Sequence, residues 1–420
     1  MKWTSDEINE LKTLKSLKTD TRTIACLMGR TIPSVNCMLM RLGLINPDTG
    51  KAEKLDSIEP FNPTDSKIMT LESKIKILKR DLNNQKLEID FYRGRAALFD
   101  SIVETVKEEI KPFDALPSCI PIDVKSRTHV EDVVMHQSDE HMADIVDPKS
   151  VQGLETYNFQ VACRRAEQYV DKTLEITQQT LTGYRFPNLW ILRYGDHSSG
   201  EIHNAVLQSE FKNQFKNSFA IAQVHALMVR DLAPYFEHVF VVCLPGNHGR
   251  RSKKKDYNSP HDNWDYAINK VSAMLNREIP NVSYLIPNAY STVLNIQGFN
   301  FAIEHGDDVK MWNSIPYYGL ERKTRRLLAL NETRGMKIDY FVFGHFHQPT
   351  TMNQLGSVET IINGTWKATD PYTFGSLSGY VEPSQWLHGV HPEHGITWRF
   401  KIKLRSENEL VGPQRYKVEV

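Results

Sequence analysis

The stretch 240-FVVCLPGNHGRRSKKK-255 decides how the chain is read. An apolar run ends at Pro245. Gly246, Asn247 and His248 follow at once, and then five basic residues in six positions: Arg250, Arg251, Lys253, Lys254 and Lys255. A short apolar run closed by Pro and Gly is the pattern of a strand buried on both faces. Polar side chains gathered at strand carboxyl ends are where an open α/β sheet places its site.

Four other runs end the same way. VVMHQ leads to Asp139-Glu140-His141, LWILRY to Gly195-Asp196, FAIE to His305-Gly306, and YFVF to Gly344-His345-Phe346-His347. From about residue 128, apolar strands alternate with helices, so this part is an α/β region. One histidine behind a strand is ordinarily a hydrogen-bonded structural residue, and one Gly-Asp is ordinarily a turn. The clusters D-x-H, G-D, G-N-H, H-G and G-H-x-H, in that order and each behind a strand, form a set. A further run, ETII, leads to Asn363-Gly364-Thr365, which either supports the same site or is a plain turn.

With that set in place, residues 128–405 resemble the calcineurin-like metallophosphoesterases, and within them the double-strand-break-repair nuclease branch. The resemblance implies an α/β sandwich of two β-sheets flanked by helices. It implies one divalent metal on Asp139, His141, Asp196 and His347, and a second on Asp196, Asn247, His305 and His345, with Asp196 shared. Two closely spaced metals supply what phosphoester cleavage needs, a nucleophile at neutral pH and cancellation of phosphoryl charge. All the donors are O or N, which suits Mn²⁺, Fe, Zn²⁺ or Ni²⁺; the resemblance favours Mn²⁺. It makes His248 the catalytic residue that protonates the leaving oxygen or stabilises the charge there. His197 and His203 lie in the 195–204 loop, and either stands behind the ligands or meets substrate; His203 is taken as a second catalytic candidate. Arg250 and Arg251, with Arg322 and Arg325 of the run Arg322-Lys-Thr-Arg-Arg326, are expected to contact a polyanion; the alternative is a solvated surface. There are departures. Gly249 stands where many relatives carry an acid, Gly195-Asp-His-Ser-Ser replaces the commoner continuations, and the GD-x-x-DRG and GNHE of the Ser/Thr phosphatases are absent.

The first 45 residues read as three short helices. Thr4-x-x-Glu7 is a capping box ahead of Ile8, Leu11, Leu14 and Leu17. A second helix near Thr21–Met28 turns Ile24 and Leu27 inward, Gly29-Arg30 makes the turn, and Thr31 can cap a third helix with Val35, Leu39 and Leu42 on one face. The pattern WT-x-x-E…IA…GRT…V…RLGL resembles Myb-like or phage-type helix-turn-helix modules, and 1–45 carries seven basic and four acidic residues, a balance of +3. DNA binding is expected, although the third helix is poor in Arg and Lys. Residues 46–65 form a linker. In 66–110, Ile68, Ile75, Leu82 and Ile89 recur every seven residues, as in a two-stranded parallel coil, so a homodimer is expected; the alternative is an amphipathic helix lying on the main domain. A second linker spans 111–127, and 406–420 is a C-terminal tail.

The chain has 420 residues and no net charge, so nucleic-acid binding must come from local patches. Five widely spaced cysteines, with no CxxC, suggest a reduced compartment. No apolar run approaches membrane-spanning length and the N-terminus does not read as a signal peptide, so no membrane association is expected. The expectation is therefore a cytoplasmic, two-metal phosphodiesterase acting on nucleic acid, a DNA nuclease of a phage or mobile element working in the host cytoplasm. Two alternatives stay open: a phosphoesterase for a small nucleotide or cyclic nucleotide, and a DNA-binding regulator with a non-catalytic phosphoesterase domain.

Overall fold

A computed structural model describes residues 3–16, 20–44, 82, 83, 85, 86, 128–202, 205–252, 259–310, 316–354, 356–404 and 413–418. The chain divides into two units, Met1–Ala97 and Leu98–Val420.

In the first unit, three helices appear where the sequence predicts them: α1 Ser5–Ser16, α2 Thr21–Leu27 and α3 Ile32–Arg41. The capping box forms: Glu7 accepts from the Thr4 backbone N–H at 2.9 Å, and Thr4 Oγ1 accepts from the Glu7 N–H at 3.3 Å. Glu7 also holds Arg30, whose guanidinium lies 5.0 Å from the centre of the Trp3 ring. Two expectations need correction. Leu27 is 62% exposed, because the inward face of the seven-residue α2 is Ile24, Ala25 and Met28. Thr31 stands at the N-cap of α3 but makes no side-chain cap bond, unlike Thr4 on α1 and Asp20 on α2. Apart from four helical residues (Leu82, Asn83, Gln85 and Lys86), the coiled-coil segment and both linkers lie outside the described residues.

The second unit is the expected sandwich. Its strands are β1 His129–Val130, β2 Asp132–Gln137, β3 Tyr184–Arg185, β4 Asn188–Tyr194, β5 His238–Leu244, β6 Val282–Leu285, β7 Ser291–Ile296, β8 Phe299–Glu304, β9 Tyr340–Phe343, β10 Thr350–Asn353, β11 Glu359–Ile362, β12 Ser384–His391 and β13 Gly395–Lys403. The larger helices are α4 Phe159–Leu174, α5 Gln214–Leu232, α6 Trp264–Leu275 and α7 Tyr317–Glu332, and α8 Pro371–Leu377 is a short one. One large sheet has the order β13-β12-β2-β4-β5-β6, parallel from β2 to β6; the second is β10-β11-β9-β8-β7, parallel from β8 through β9 to β11; β1 and β3 pair as a short two-stranded ribbon.

Period-two alternation builds the layers. On β4 and β5, Leu189, Ile191, Val239, Val241 and Cys243 pack with residues of α4, α5 and α6. Leu192, Tyr194, Val242 and Leu244 point the other way, into a core shared with Phe301, Ile303, Val342 and Ile361 of the second sheet. That sheet's outer face, with Phe341, Phe343 and Ile362, is covered by Leu320 of α7. Strands buried on both faces explain why the sequence shows apolar runs rather than alternation. The tail is also tied down: Tyr416 is buried, its N–H donating to Glu167 and its hydroxyl to Asp231. None of the described helices is long and apolar enough to cross a membrane.

Arg165 on α4 joins this core to the segment after β11. Fully buried, it donates to Glu155 at 3.2 Å and to the Trp366 carbonyl, and packs against Tyr157. Removing it leaves Glu155 a buried carboxylate without its cation, which costs about 3–5 kcal/mol. Arg165→Ala should therefore lower unfolding free energy by that amount in a denaturant titration; a loss under about 1 kcal/mol would show the pair to be dispensable.

Candidate metal centre

All five clusters sit just beyond the carboxyl ends of β2, β4, β5, β8 and β9. Ligand-type atoms of Asp139, His141 and His347 lie within 4.8 Å of one another, as do those of Asp196, His305 and His345. Asn247 joins the second group, its Oδ1 2.9 Å from His305 Nε2. Asp139, His141, Asp196, Asn247 and His305 are buried, and His345, His347 and His248 are half-buried. The structure thus brings all seven predicted ligand residues into one place, with His248 beside them; its ring lies edge-on to His141 at 4.9 Å.

Backbone geometry marks the same residues. Asp139, His141, Asp196, His345 and His347 all have φ between +48 and +66°. A left-handed residue other than glycine carries strain of order 1–3 kcal/mol, and such strain collects at functional sites. The loops are also close. Gly195 has φ +96°, and a Cβ there would meet Gly246 N at 2.1 Å; a Cβ on Gly246 would meet Asp196 Oδ1 at 2.2 Å. Only paired glycines let the two ligand loops pass this closely.

The donors fit divalent metal chemistry. His305 Nδ1 faces the Tyr194 carbonyl at 2.8 Å, and a carbonyl only accepts, so Nδ1 carries a proton. Its Nε2 faces Asp196 Oδ2 at 3.0 Å and Asn247 Oδ1 at 2.9 Å, both acceptors. Three acceptor atoms thus converge, and without a metal only a second proton on the ring satisfies them. On the other side, His141 Nε2 is buried and has no hydrogen-bond partner among the described residues. An unpaired buried imidazole nitrogen beside Asp139 and His347 is what a metal ligand looks like without its ion.

Residues that the sequence did not flag hold the site from behind. Asp265, buried at the start of α6, accepts from Asp196 N–H at 3.0 Å, His197 N–H at 3.1 Å and Gly246 N–H at 2.8 Å. It clamps the G-D and G-N-H loops together. Asn263 fills the space beside Gly249, where a Cβ would meet Asn263 Oδ1 at 2.1 Å, which accounts for the glycine at this departure from the resemblance. Ser138 donates to Asp139 and accepts from Asn363, and Thr365 donates to the Asp139 carbonyl, so Asn363-Gly364-Thr365 does support the site. Glu140 turns away, accepting from His197 and His225 at 2.7 Å each. These three also sit close enough to hold an ion, but the nitrogens that face Glu140, His197 Nδ1 and His225 Nε2, are already hydrogen-bonded to the carboxylate. His197 is fully buried there, so it stands behind the ligands rather than meeting substrate.

The remaining candidates scatter. His203 and Lys253–Lys255 lie outside the described residues. Arg250 donates to the Asn247 carbonyl at 3.0 Å and stands 3.9 Å from Asp307, so it braces a ligand loop. Arg251 pairs with Asp262, Arg325 pairs with Glu321, and Arg322 is exposed on α7.

No protein-family model and no curated protein matches the sequence. Among solved structures, the chain is similar to Vps29 of Entamoeba histolytica complexed with zinc, at 12% identity over 65% of this chain and 99% of that one, with a TM-score of 0.27. It is similar to a dimetal phosphatase of Danio rerio at 10% identity over 65% and 99%, TM-score 0.32. It is also similar to a 5'-nucleotidase of Candida albicans at 9% identity over 70% and 55%, TM-score 0.32. The chemistry is read from the residues themselves.

Burial alone would strip the charge from His305, but Asp196 beside it outweighs burial, and its pKa is pushed up to about 10. In the metal-free protein this imidazolium contributes stability below the ordinary histidine value and loses it as pH rises through about 10. An ion binding at Nε2 must displace that proton. Calorimetric titration of the metal-free chain with Mn²⁺ or Zn²⁺ at pH 7, in buffers of different ionisation heat, should show release of about one proton per chain for this site. The apparent affinity should rise about tenfold per pH unit between 6 and 8; an affinity flat with pH would remove His305 from the ligand set.

Proposed function

We propose that this chain is a calcineurin-like metallophosphoesterase that hydrolyses phosphodiesters of nucleic acid, as a DNA nuclease using two divalent ions, Mn²⁺ foremost. The observation that supports it most is that the buried Asp196 carboxylate groups with His305 and His345 and also with His141 and His248, next to the group of Asp139, His141 and His347. In this reading Asp139, His141, Asp196 and His347 hold one ion, and Asp196, Asn247, His305 and His345 hold the other. When bound, such ions lower the pKa of water and draw charge from the phosphoryl oxygens.

The chain's own residues then orient and protonate. His248 is placed twice: its N–H donates to Asp196 Oδ1 at 2.8 Å, and its Nδ1 faces the Ser199 carbonyl at 3.3 Å. A carbonyl only accepts, so the proton on Nδ1 is held and proton transfer falls to Nε2. With Nδ1–H held, the ring acts as an acid only as the imidazolium: as water's oxygen bonds to phosphorus and the P–O bond to the leaving group breaks, the leaving oxygen takes the Nε2 proton, the attacking water releases a proton to solvent, and Nε2 regains one from solvent before the next turnover. A positioned acid contributes about 10²–10⁴-fold.

Asn247→Ala should lower metal content, and activity with it. His248→Ala should keep metal content and slow cleavage of labelled single- and double-stranded DNA by about 10²–10⁴-fold. It should slow a bis-nitrophenyl phosphate, whose leaving group needs little protonation, far less. Elemental analysis beside rates on both substrates checks this. Loss of metal in His248→Ala, or equal slowing of both substrates, would sink the acid role. Hydrolysis of a nucleotide or cyclic nucleotide with none of DNA would favour a small-molecule phosphoesterase.

Nucleic acid as substrate draws support from local charge. Arg322 and Arg326 are exposed on α7, which Lys323 ties beside His305 through Glu304 and Asp308; Arg250, Arg251 and Arg325 would have to exchange the Asn247 carbonyl, Asp262 and Glu321 for phosphate. In the first unit Lys12, Arg22 and Arg41 are exposed, and α3 carries only Arg41, so its contacts would be with phosphate rather than with bases. Deleting 1–45 should weaken DNA binding and flatten the dependence of log K on log salt by about 0.9 per lost phosphate contact. Hydrolysis of a small diester should be unchanged. An unaltered slope would assign the module to something other than DNA.

A further inference from the structure

A buried polar chain runs from the site into the protein. His141 Nδ1 lies 2.8 Å from Ser199 Oγ, Ser199 Oγ lies 2.6 Å from Asp144 Oδ2, and Lys367 Nζ lies 2.7 Å from the same oxygen. Lys367 reaches on to Asp370 Oδ2 at 2.9 Å, and Asp370 Oδ1 caps α8 through the Thr373 N–H at 2.8 Å. His141, Ser199 and Lys367 are all buried. These residues come from four segments: the turn after β2, the loop after β4, the segment after β11 and the start of α8.

The direction of the protons follows from what each group can do. A carboxylate has only acceptors, and a serine hydroxyl has one proton. Facing Asp144, the Ser199 hydroxyl must donate to it, so Ser199 Oγ must accept from His141. His141 then carries its proton on Nδ1 and presents a bare Nε2, the buried nitrogen with no partner among the described residues. Lys367 adds a second charge-assisted donor to the same Asp144 oxygen and anchors it from behind. The carbonyl of the same serine faces His248 Nδ1. One residue thus sets the tautomer of a ligand with its side chain and holds the Nδ1 proton of the acid with its backbone.

We infer that Ser199, Asp144 and Lys367 form a positioning relay that keeps His141 in the Nε2-donor tautomer and so sets the affinity of one metal position and not the other. The inference rests on the proposed ligand set, in which His141 serves only the ion held with Asp139 and His347. Groups that orient a metal-binding histidine from behind are worth about 10–100-fold in metal affinity.

The test uses the full chain in four forms: wild type, Ser199→Ala, Ser199→Thr and Asp144→Asn. Ser199→Ala removes the acceptor. Asp144→Asn is nearly isosteric, but its amide can donate to Ser199 Oγ; the hydroxyl can then turn to His141 and move the ring proton to Nε2. A purely structural role would let Asp144→Asn lose stability with its Lys367 pair while His141 kept its Nδ1–H signals, whereas the relay predicts that the tautomer fails as in Ser199→Ala. Titration with Mn²⁺, read by calorimetry and elemental analysis, should show one of two sites weakened about 10–100-fold in Ser199→Ala and Asp144→Asn, with Ser199→Thr restored toward wild type. Nitrogen-15 spectra of the metal-free chain should show His141 as a single Nδ1–H tautomer in wild type and Ser199→Thr, and a mixed or reversed one in the other two. Wild-type affinity at both sites, or equal weakening of both, would overturn the relay, as would unchanged His141 signals. If wild type takes up fewer than two ions, the two-metal reading fails on its own, and the spectra still decide whether the relay sets the tautomer.

Discussion

Asp196 has to satisfy four chain segments at once, and the rest of the site is arranged around that demand. Its Oδ2 faces His305, and its Oδ1 accepts the His248 N–H. Its backbone carbonyl accepts from Glu140 and His141, and its own N–H donates to Asp265. The loops after β2, β4, β5 and β8 are therefore registered against one residue. Burial strengthens each of these bonds and makes each costly to leave unmade. The two glycines at 195 and 246 follow from this, since only without side chains can the adjoining loops approach the carboxylate.

That arrangement is held against local preference. Five ligand-type residues in left-handed conformations would relax if the surrounding contacts were weak. Asp265 supplies much of the restraint. It gathers three backbone N–H groups from two loops, and it is itself fixed by Asn263, which caps α6 and donates to the Gly246 carbonyl. Helix α6 thus acts as a rigid post for flexible backbone, consistent with sites being held more exactly by regular elements than by loops.

Much of this was legible in the sequence, and the part that was not has a common cause. The strands announced themselves as apolar runs because both faces are buried, and the ligands announced themselves because each sits within four residues of a strand end. Asp265, Ser199, Asp144 and Lys367 gave no such signal. An Asp in a helix's first turn reads as a partner for the helix dipole, and a serine in a polar loop reads as solvent-facing. Their function lies in contacts between segments up to 223 residues apart, such as Lys367 with Asp144, and spacing carries no trace of that. Leu27 misled for a smaller reason: a seven-residue helix offers barely two turns, too few for periodicity to separate the 24–25–28 face from its neighbour.

Two ligand-type histidines, His305 and His141, show how the fold prepares for a cation. His305 is oriented by a backbone carbonyl, a fixed acceptor that no side-chain change removes. His141 is oriented by a hydroxyl, which can donate or accept and so needs Asp144 to choose for it. The His305 side is therefore set by the strand β4 itself, whereas the His141 side depends on a chain of side chains reaching Lys367. Backbone restraint survives loop movement only if the strand does, and β4 lies between β2 and β5 in the parallel part of its sheet. The relay instead crosses between segments that come together only when the sandwich is closed. One half of the centre is thus defined by secondary structure and the other by tertiary packing, so local loosening around α8 would reach the His141 side first.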